Sequence, residues 1–167
     1  GRDNLTHAEL ALDPQGKILG LRVHVKAAMG AYLHQFGPFI PYVGTSMSSG
    51  LYDIPALFAK VEGVYMHTVP TDAFRGAGRP EAAYLIERLI EKAGEETGLG
   101  SVEIRKRNFI KQLQLPYTTQ TGRLYDTGDF TGHLDKALDV ADWEGFKERQ
   151  EQSAKRGKYR GIGICSY

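Results

Sequence analysis

The chain has 167 residues, of which 41% are hydrophobic and 25% are charged, and its formal net charge is +1. This length suits one domain with a hydrophobic core, and this composition excludes an intrinsically disordered chain. A charge so close to zero argues against a nucleic-acid-binding protein, which is usually strongly basic. No apolar run reaches the roughly 18–20 residues of a membrane-spanning helix, so we expect no membrane span. The single cysteine, Cys165, fits a reducing compartment, and we expect a cytoplasmic protein.

A long β-hairpin opens the predicted fold. Apolar and polar residues alternate in "HAELAL" (residues 7–12) and again over residues 19–29. A period of two is typical of a strand with one buried face. The intervening "DPQG" (13–16) has turn chemistry, because proline restricts φ and glycine tolerates a positive φ.

The next segment, "HQFGPFIPYVGTSMSSGLYDIP" (34–55), is different in kind. It contains three prolines and three glycines and has no sustained period. We predict an irregular or briefly helical stretch that is partly buried through Phe36, Phe39 and Tyr42. The following "ALFAKVEGVYMHTV" (56–69) returns to a composition typical of a strand.

A well-marked helix is predicted within residues 79–98. Its apolar residues recur at intervals of three and four and form one stripe: Ala82, Leu85, Ile86, Leu89, Ile90 and Ala93. Pro80 suits the first helical turn, where its missing N–H group is not needed. Gly98 is a plausible residue to end the helix in a left-handed conformation.

Further helices follow this one. We predict a short helix in "SVEIRKRNFI" (101–110) with Ser101 as its N-cap. Residues 129–157 are predicted to form two helices, with a break near residues 141–142 and a stop at Gly157.

The last segment, "KYRGIGICSY" (158–167), is predicted to be a strand, with Cys165 as a small buried residue and not a nucleophile. Strands and helices are segregated along the chain. This order favours an α+β fold over a doubly wound sheet.

The histidines and carboxylates indicate no metal site. The five histidines show no paired spacing typical of metal ligands, and no two acidic residues stand out as a general acid and base. We therefore predict that this chain contributes no metal ligands.

The loop "FRGAGRPE" (74–81) is the one constellation that could carry chemistry. It is not a dinucleotide fingerprint, because Glu81 stands where glycine or alanine is required, and no Lys-Ser/Thr follows as in a P-loop. Its glycines, helix start and two arginines, Arg75 and Arg79, could hold an anion. Composition alone slightly favours the other reading, a tight turn whose arginines pair with nearby carboxylates.

Several segments, taken together, resemble the large subunits of molybdenum hydroxylases, the molybdopterin-binding chains of aerobic carbon monoxide dehydrogenases, aldehyde oxidases and xanthine dehydrogenases. The segments are "AELALDPQGKILGLRV", "GAYL", "YDIPA", "AFRGAGRPEAAYLIERLIEKAGEETG", "EIRKRNFI", "TGDFTGHLDKAL" and "KYRGIGI". The resemblance covers nearly the whole chain in order. It implies a molybdopterin-binding domain fragment with a long β-hairpin, mixed strands and several helices. Since the chain begins "GRDN" and ends inside a predicted strand, we expect residues 1–167 to be a single internal domain fragment of a catalytic subunit.

In that family the corresponding loop approaches the molybdenum and its pterin dithiolene. Carried over residue by residue, the resemblance implies that the cofactor is contacted by Phe74, Arg75, Gly76, Ala77 and Gly78. Arg75 would belong to the active-site loop without being the base. The implied activity is oxidative hydroxylation of a small-molecule substrate with water as the oxygen source. The base glutamate and most cofactor contacts would lie outside this chain, so we expect the isolated chain to be inactive.

The resemblance also implies partners, namely an iron–sulfur subunit with [2Fe–2S] clusters and a FAD subunit, assembled as a dimer of heterotrimers. Copper-containing carbon monoxide dehydrogenases place a cysteine where this chain has Gly76, and xanthine enzymes have an arginine upstream of "YDIP" that is missing here. An aldehyde or an N-heterocycle therefore fits better than carbon monoxide or a purine. An alternative of another class is a freestanding α+β module that binds an anionic partner through its basic, glycine-rich loop.

Overall fold

The computed structural model of the chain describes residues 3–167. Its elements in chain order are β1 (Asn4–Leu12), β2 (Ile18–Gly30), α1 (Phe39–Thr45), β3 (Leu57–Tyr65), α2 (Arg79–Thr97), α3 (Gly100–Asn108), β4 (Tyr117–Thr118), β5 (Leu124–Tyr125), α4 (Phe130–Val140) and α5 (Phe146–Ala154). This architecture confirms the predicted α+β fold with mixed strands and several helices. Within the described residues, no helix is both long and apolar enough to cross a membrane.

The predicted hairpin is present as the antiparallel pair β1–β2, and β3 joins β2 in parallel to complete a three-stranded sheet in the order β1-β2-β3. The turn is closed by Asp13, whose carboxylate accepts hydrogen bonds from the N–H groups of Gln15 at 2.9 Å and Lys17 at 2.8 Å. One detail of the predicted alternation is wrong. Leu19 is 51% exposed, because a register shift opposite Ala11 and Leu12 turns it away from the buried face.

The hydrophobic core lies between the inner face of β2 and the apolar stripe of α2. Its buried members include Leu21, Val23, Val25, Ile86, Ile90 and Ile104. The predicted helix is confirmed, with Pro80 in its first turn and Gly98 ending it at a φ of 72°. The position of the apolar stripe sets how α2 lies on the sheet, and therefore where its N-terminal end is placed.

The structure overturns the prediction for the aromatic residues around α1. Phe36, Phe39 and Tyr42 are 47%, 51% and 73% exposed. The helix instead buries the face formed by Ile40 and Val43 together with Gly44. Positions 39 and 42 occupy another side of the same helix, so the starting residue of the helix decides which side chains are buried.

The predicted N-cap of α3 is also wrong. Leu99 occupies that position, and Ser101 lies inside the helix. The Ser101 hydroxyl donates to the Glu91 carboxylate and accepts a hydrogen bond from Arg105 Nη1 at 2.8 Å. Ser101 therefore hydrogen-bonds to the buried Arg105 instead of capping the helix.

Residues 158–167 form no strand with any other described residue. Their backbone is held by side chains instead: Arg105 Nη2 donates to the carbonyl of Ile164 at 3.1 Å, and the N–H of Ser166 donates to Glu87 Oε2 at 3.0 Å. Cys165 is exposed, which corrects the prediction that it is buried.

A buried ionic cluster links α2, α3 and this C-terminal segment. The side chain of Arg105 is fully buried, and its Nε and Nη2 atoms donate to Glu87 Oε2 at 3.2 and 3.0 Å. Tyr52 donates to Glu87 Oε1 at 2.6 Å, and Arg105 Nη1 lies 2.9 Å from Glu91 Oε2. Burial, and then the neighbouring Glu87 carboxylate, raise the pKa of Tyr52 far above its ordinary value, so Tyr52 stays a hydrogen-bond donor at neutral pH.

Replacing Arg105 with methionine should destabilise the chain strongly. The substitution leaves the buried Glu87 carboxylate without its cation, and breaking such a pair costs about 3–5 kcal/mol. Equilibrium urea unfolding of the two proteins measures this loss. Lys92→Ala is the matched control, because Lys92 belongs to an exposed pair with Glu96 at 3.0 Å and its loss should hardly move the midpoint. Equal midpoints for the two variants would show that the cluster does not stabilise the fold.

Candidate functional site

The predicted site residues form a tight loop immediately before α2. Gly76, Ala77 and Gly78 all have positive φ angles, of 96°, 39° and 93°. Glycine accepts this conformation readily, whereas Ala77 holds it at a cost of about 1–3 kcal/mol. Two backbone hydrogen bonds close the loop, from the N–H of Ala77 to the carbonyl of Phe74 at 2.8 Å and from the N–H of Arg79 to the carbonyl of Gly76 at 3.0 Å.

The buried end of the loop rests on α1. Gly78 is buried, and a Cβ atom there would lie 2.2 Å from the carbonyl oxygen of Ile40 and 2.7 Å from Cα of Gly44. No side chain fits into such a contact, so position 78 requires glycine for space as well as for its φ angle. Helix α1 therefore packs against the buried end of the loop, at Gly78. At the other end of the loop, Phe74 is 77% exposed and Arg75 is exposed as well.

The polar groups at the exposed end of the loop are available to a ligand. The N–H groups of Arg75, Gly76 and Gly78 have no acceptor among residues 3–167. Within the same range, neither Arg75 nor Arg79 pairs with a carboxylate, and Arg79 instead donates to the carbonyl of Gly76 at 3.4 Å. The tight-turn reading requires ion pairs that are missing from this part of the chain. Free N–H groups beside a guanidinium suit an anionic group.

One side-chain pair, His34 and Asp72, lies at the segment that precedes the loop. His34 Nδ1 lies 2.5 Å from Asp72 Oδ2, and the other carboxylate oxygen of Asp72 accepts from the N–H of Ala73 at 2.7 Å. No group of three or more His, Cys, Asp or Glu residues in the described part of the chain could hold a metal ion.

A cavity of about 480 Å³ lies elsewhere, between α4 and the C-terminal segment, and none of residues 74–78 lines it. Its walls are mainly apolar, with Phe109, Leu134 and Trp143 among them. Cys165 also lines this cavity, and partial burial followed by the nearby Glu87 raises the pKa of its thiol. A thiol in that state is protonated at neutral pH and is a poor nucleophile.

The comparison with known proteins shows the family of the chain. Residues 1–109 match the family model described as the molybdopterin cofactor-binding domain. The chain belongs to this family. Its membership confirms the resemblance stated above.

Relatives of the molybdopterin cofactor-binding chain align along almost its full length. It is 41% identical to the carbon monoxide dehydrogenase large chain of Hydrogenophaga pseudoflava, over 99% of this chain and 21% of the relative. It is 30% identical to subunit gamma of the 6-hydroxypseudooxynicotine dehydrogenase complex of Paenarthrobacter nicotinovorans, over 98% of this chain and 21% of the relative. In the structure of quinoline 2-oxidoreductase from Pseudomonas putida 86, the similar region has a TM-score of 0.84 and 28% identity, and covers 92% of this chain and 20% of that one. The chain thus spans about a fifth of the length of these relatives.

The loop fits the cofactor that this family binds. A molybdenum–pterin group is anionic, and the loop presents the N–H groups of Arg75 and Gly76 and the Arg75 guanidinium without competing acceptors among the described residues. The absence of a side chain at Gly76 lets another molecule approach the backbone there, whereas Gly78 uses the same freedom to pack against α1. Sequence reasoning missed the contribution of α1. A glycine at position 44, inside a short helix where glycine is unfavourable, is the signal that could have indicated it.

Proposed function

We propose that the intact protein is the molybdenum-cofactor-binding catalytic subunit of a molybdenum hydroxylase, and that residues 1–167 are a single internal domain fragment of it. The proposed reaction is oxidative hydroxylation of a small molecule, with water as the source of oxygen. The family match carries this proposal, because the matched region, residues 1–109, includes the loop at 74–78. The geometry of that loop supports a role in cofactor binding.

Each loop residue has a role in this proposal. The bound cofactor would supply the two-electron redox chemistry. The Arg75 guanidinium would stabilise negative charge that develops at the reacting centre. The N–H groups of Arg75 and Gly76 would bind anionic atoms, Gly78 would hold the loop against α1, and Phe74 would exclude water beside them. Ala77, held at a positive φ, would keep the loop in one conformation.

Partner subunits are part of the same proposal. One relative is named as a large chain and another as subunit gamma of a complex, which supports an assembly of several subunits. We propose an iron–sulfur subunit with [2Fe–2S] clusters and a FAD subunit that accept the electrons, in a dimer of heterotrimers in the cytoplasm. The exposure of Tyr32, Val69 and Phe74 is consistent with an apolar surface covered by other parts of the assembly.

To infer the class of substrate, the residue at position 76 is more informative than the overall sequence identity to any one relative. A copper(I) ion beside molybdenum would need a soft thiolate ligand, and glycine provides none. The structure also disfavours a side chain there, since φ is 96° and a Cβ atom would lie 3.0 Å from the Pro80 ring. We therefore propose an aldehyde or an N-heterocycle as the substrate. The structural relative named for quinoline supports this choice, whereas the relative named for carbon monoxide does not.

The freestanding anion-binding module has less support, because relatives contain this region within much longer chains. The gene separates the two hypotheses. An open reading frame several times longer than this chain, next to genes for FAD and [2Fe–2S] subunits, supports the hydroxylase, and a gene that encodes this domain alone supports the module.

In the intact complex, Arg75→Ala should lower turnover by about 10²-fold, because it removes a charge beside the reacting centre. Arg88→Ala is the matched control: Arg88 is exposed on α2 and has no salt bridge with any described residue. Turnover, molybdenum per subunit and melting temperature should be measured for both variants. Near-normal turnover of Arg75→Ala with unchanged molybdenum content would contradict the role given to the loop.

Copper analysis tests the substrate assignment. The complete, molybdenum-loaded complex should contain no stoichiometric copper and should oxidise aldehydes or N-heteroaromatic compounds, since the loop offers no thiolate for Cu(I). Metal analysis and turnover assays on the same preparation measure both properties. The assignment is wrong if the complex contains near-stoichiometric copper and oxidises carbon monoxide in a particular way. That activity would have to be abolished by cyanide and restored by Cu(I) with sulfide.

A further inference from the structure

Three glycines at intervals of seven residues, Gly30, Gly37 and Gly44, lie against the segment 70–78, which includes the loop. A Cβ atom at Gly30 would lie 2.4 Å from a backbone atom of that segment, and the corresponding distances are 2.8 Å at Gly37 and 2.6 Å at Gly44. We call these three glycines and their backbone contacts the glycine seam. The backbone groups that they meet belong, in order, to Pro70, Thr71 and Gly78.

Hydrogen bonds hold the two sides of the glycine seam together. The N–H of Ala31 donates to the carbonyl of Thr68 at 3.0 Å, and the Thr71 hydroxyl donates to the carbonyl of Ala28 at 3.2 Å. His34, which lies between Gly30 and Gly37, pairs with Asp72, which directly follows Thr71. The register of the two segments is therefore specified by directional bonds, and the glycines allow the backbones to touch within it.

We propose that Gly37 and Gly44, which lie outside the loop, are positioning residues that determine where the loop at 74–78 stands against the cofactor. This inference rests on the proposed function. An alanine methyl group at Gly44 would have to move from 2.6 Å to an ordinary contact of at least 3.4 Å from the carbonyl oxygen of Gly78, a shift of about 0.8 Å. The loop lies on the far side of that contact and would move with it. Displacements of this size, even from a residue remote from the chemistry, lower rates by up to about 10²-fold.

Gly37 and Gly44 are the useful pair for a test, because neither has a positive φ angle. Alanine at either position therefore tests the close backbone contact without adding the strain of a positive φ angle. Gly30 and Gly78, with φ angles of 80° and 93°, would add backbone strain to the steric effect and obscure it.

The experiment compares Gly37→Ala and Gly44→Ala in the intact subunit, assembled with its partners, against two glycine controls. Gly94→Ala creates the same kind of overlap inside a helix, since its Cβ atom would lie 2.8 Å from the carbonyl oxygen of Gly100, but this contact joins α2 to α3. Gly161→Ala meets nothing within 4 Å. For each protein we would measure melting temperature, molybdenum per subunit, the EPR spectrum of the partially reduced molybdenum centre, and kcat and KM.

Both seam variants and Gly94→Ala should lower the melting temperature, while Gly161→Ala should not. Only the seam variants should change the EPR spectrum or the molybdenum content and lower kcat by about tenfold or more. If Gly44→Ala does not accumulate as a folded subunit, Gly37→Ala carries the test, since its overlap is smaller.

The inference is overturned if the wild-type complex contains molybdenum and the seam variants match Gly94→Ala in spectrum, metal content and kcat at a similar loss of stability. A wild-type complex without molybdenum is a different result. It would overturn the proposed function, and the positioning role with it.

Discussion

The packing of α2 on the inner face of β2 is the constraint on which the rest of the structure depends. The apolar stripe of a 19-residue helix and the alternating side chains of a long strand meet in one core. Once that stripe faces the sheet, the helix axis and its N-terminal end are both set. The loop at 74–78 is covalently attached to that end, so the hydrophobic effect determines its location long before any residue of the loop contributes. The loop is thus attached to a frame that is held mainly by apolar contacts.

Two arginines near α2 differ in burial and pairing. Beside the middle of α2, Arg105 of α3 is fully buried. It is surrounded by Glu87, Glu91, Tyr52 and a backbone carbonyl, so the cost of desolvating it is compensated by several directional bonds. At the start, Arg75 is exposed and has no carboxylate partner within residues 3–167. A solvated guanidinium costs the fold little and stays available to a ligand. The same residue type therefore stabilises structure in one place and is free for binding in the other.

Periodic patterns explain which features could be predicted from the sequence. The hairpin and α2 follow from periods of two and of three to four, and the loop was found because its glycines and arginines precede a helix start. Other predictions failed because they depend on tertiary partners. The phase of α1 leaves Phe39 and Tyr42 exposed, the buried Arg105 recruits Ser101, and residues 158–167 find side-chain partners instead of a neighbouring strand. The assignment of the loop to a molybdenum cofactor came from resemblance to a family, because composition alone left the tight turn open.

Glycine-rich loops are usually flexible, but internal hydrogen bonds and close backbone contacts restrict this one. Two internal hydrogen bonds close it, and Gly78 is clamped by Ile40 and Gly44 of α1. Positive φ angles at three successive residues cost conformational freedom that these contacts must offset. Donors that are already oriented do not have to reorganise when negative charge develops nearby, and this is the main source of electrostatic stabilisation in enzymes. Two different roles are therefore proposed for the glycines: Gly76 would expose the backbone of the loop to the cofactor, and the glycine seam would bring two backbones close enough to hold the loop in place.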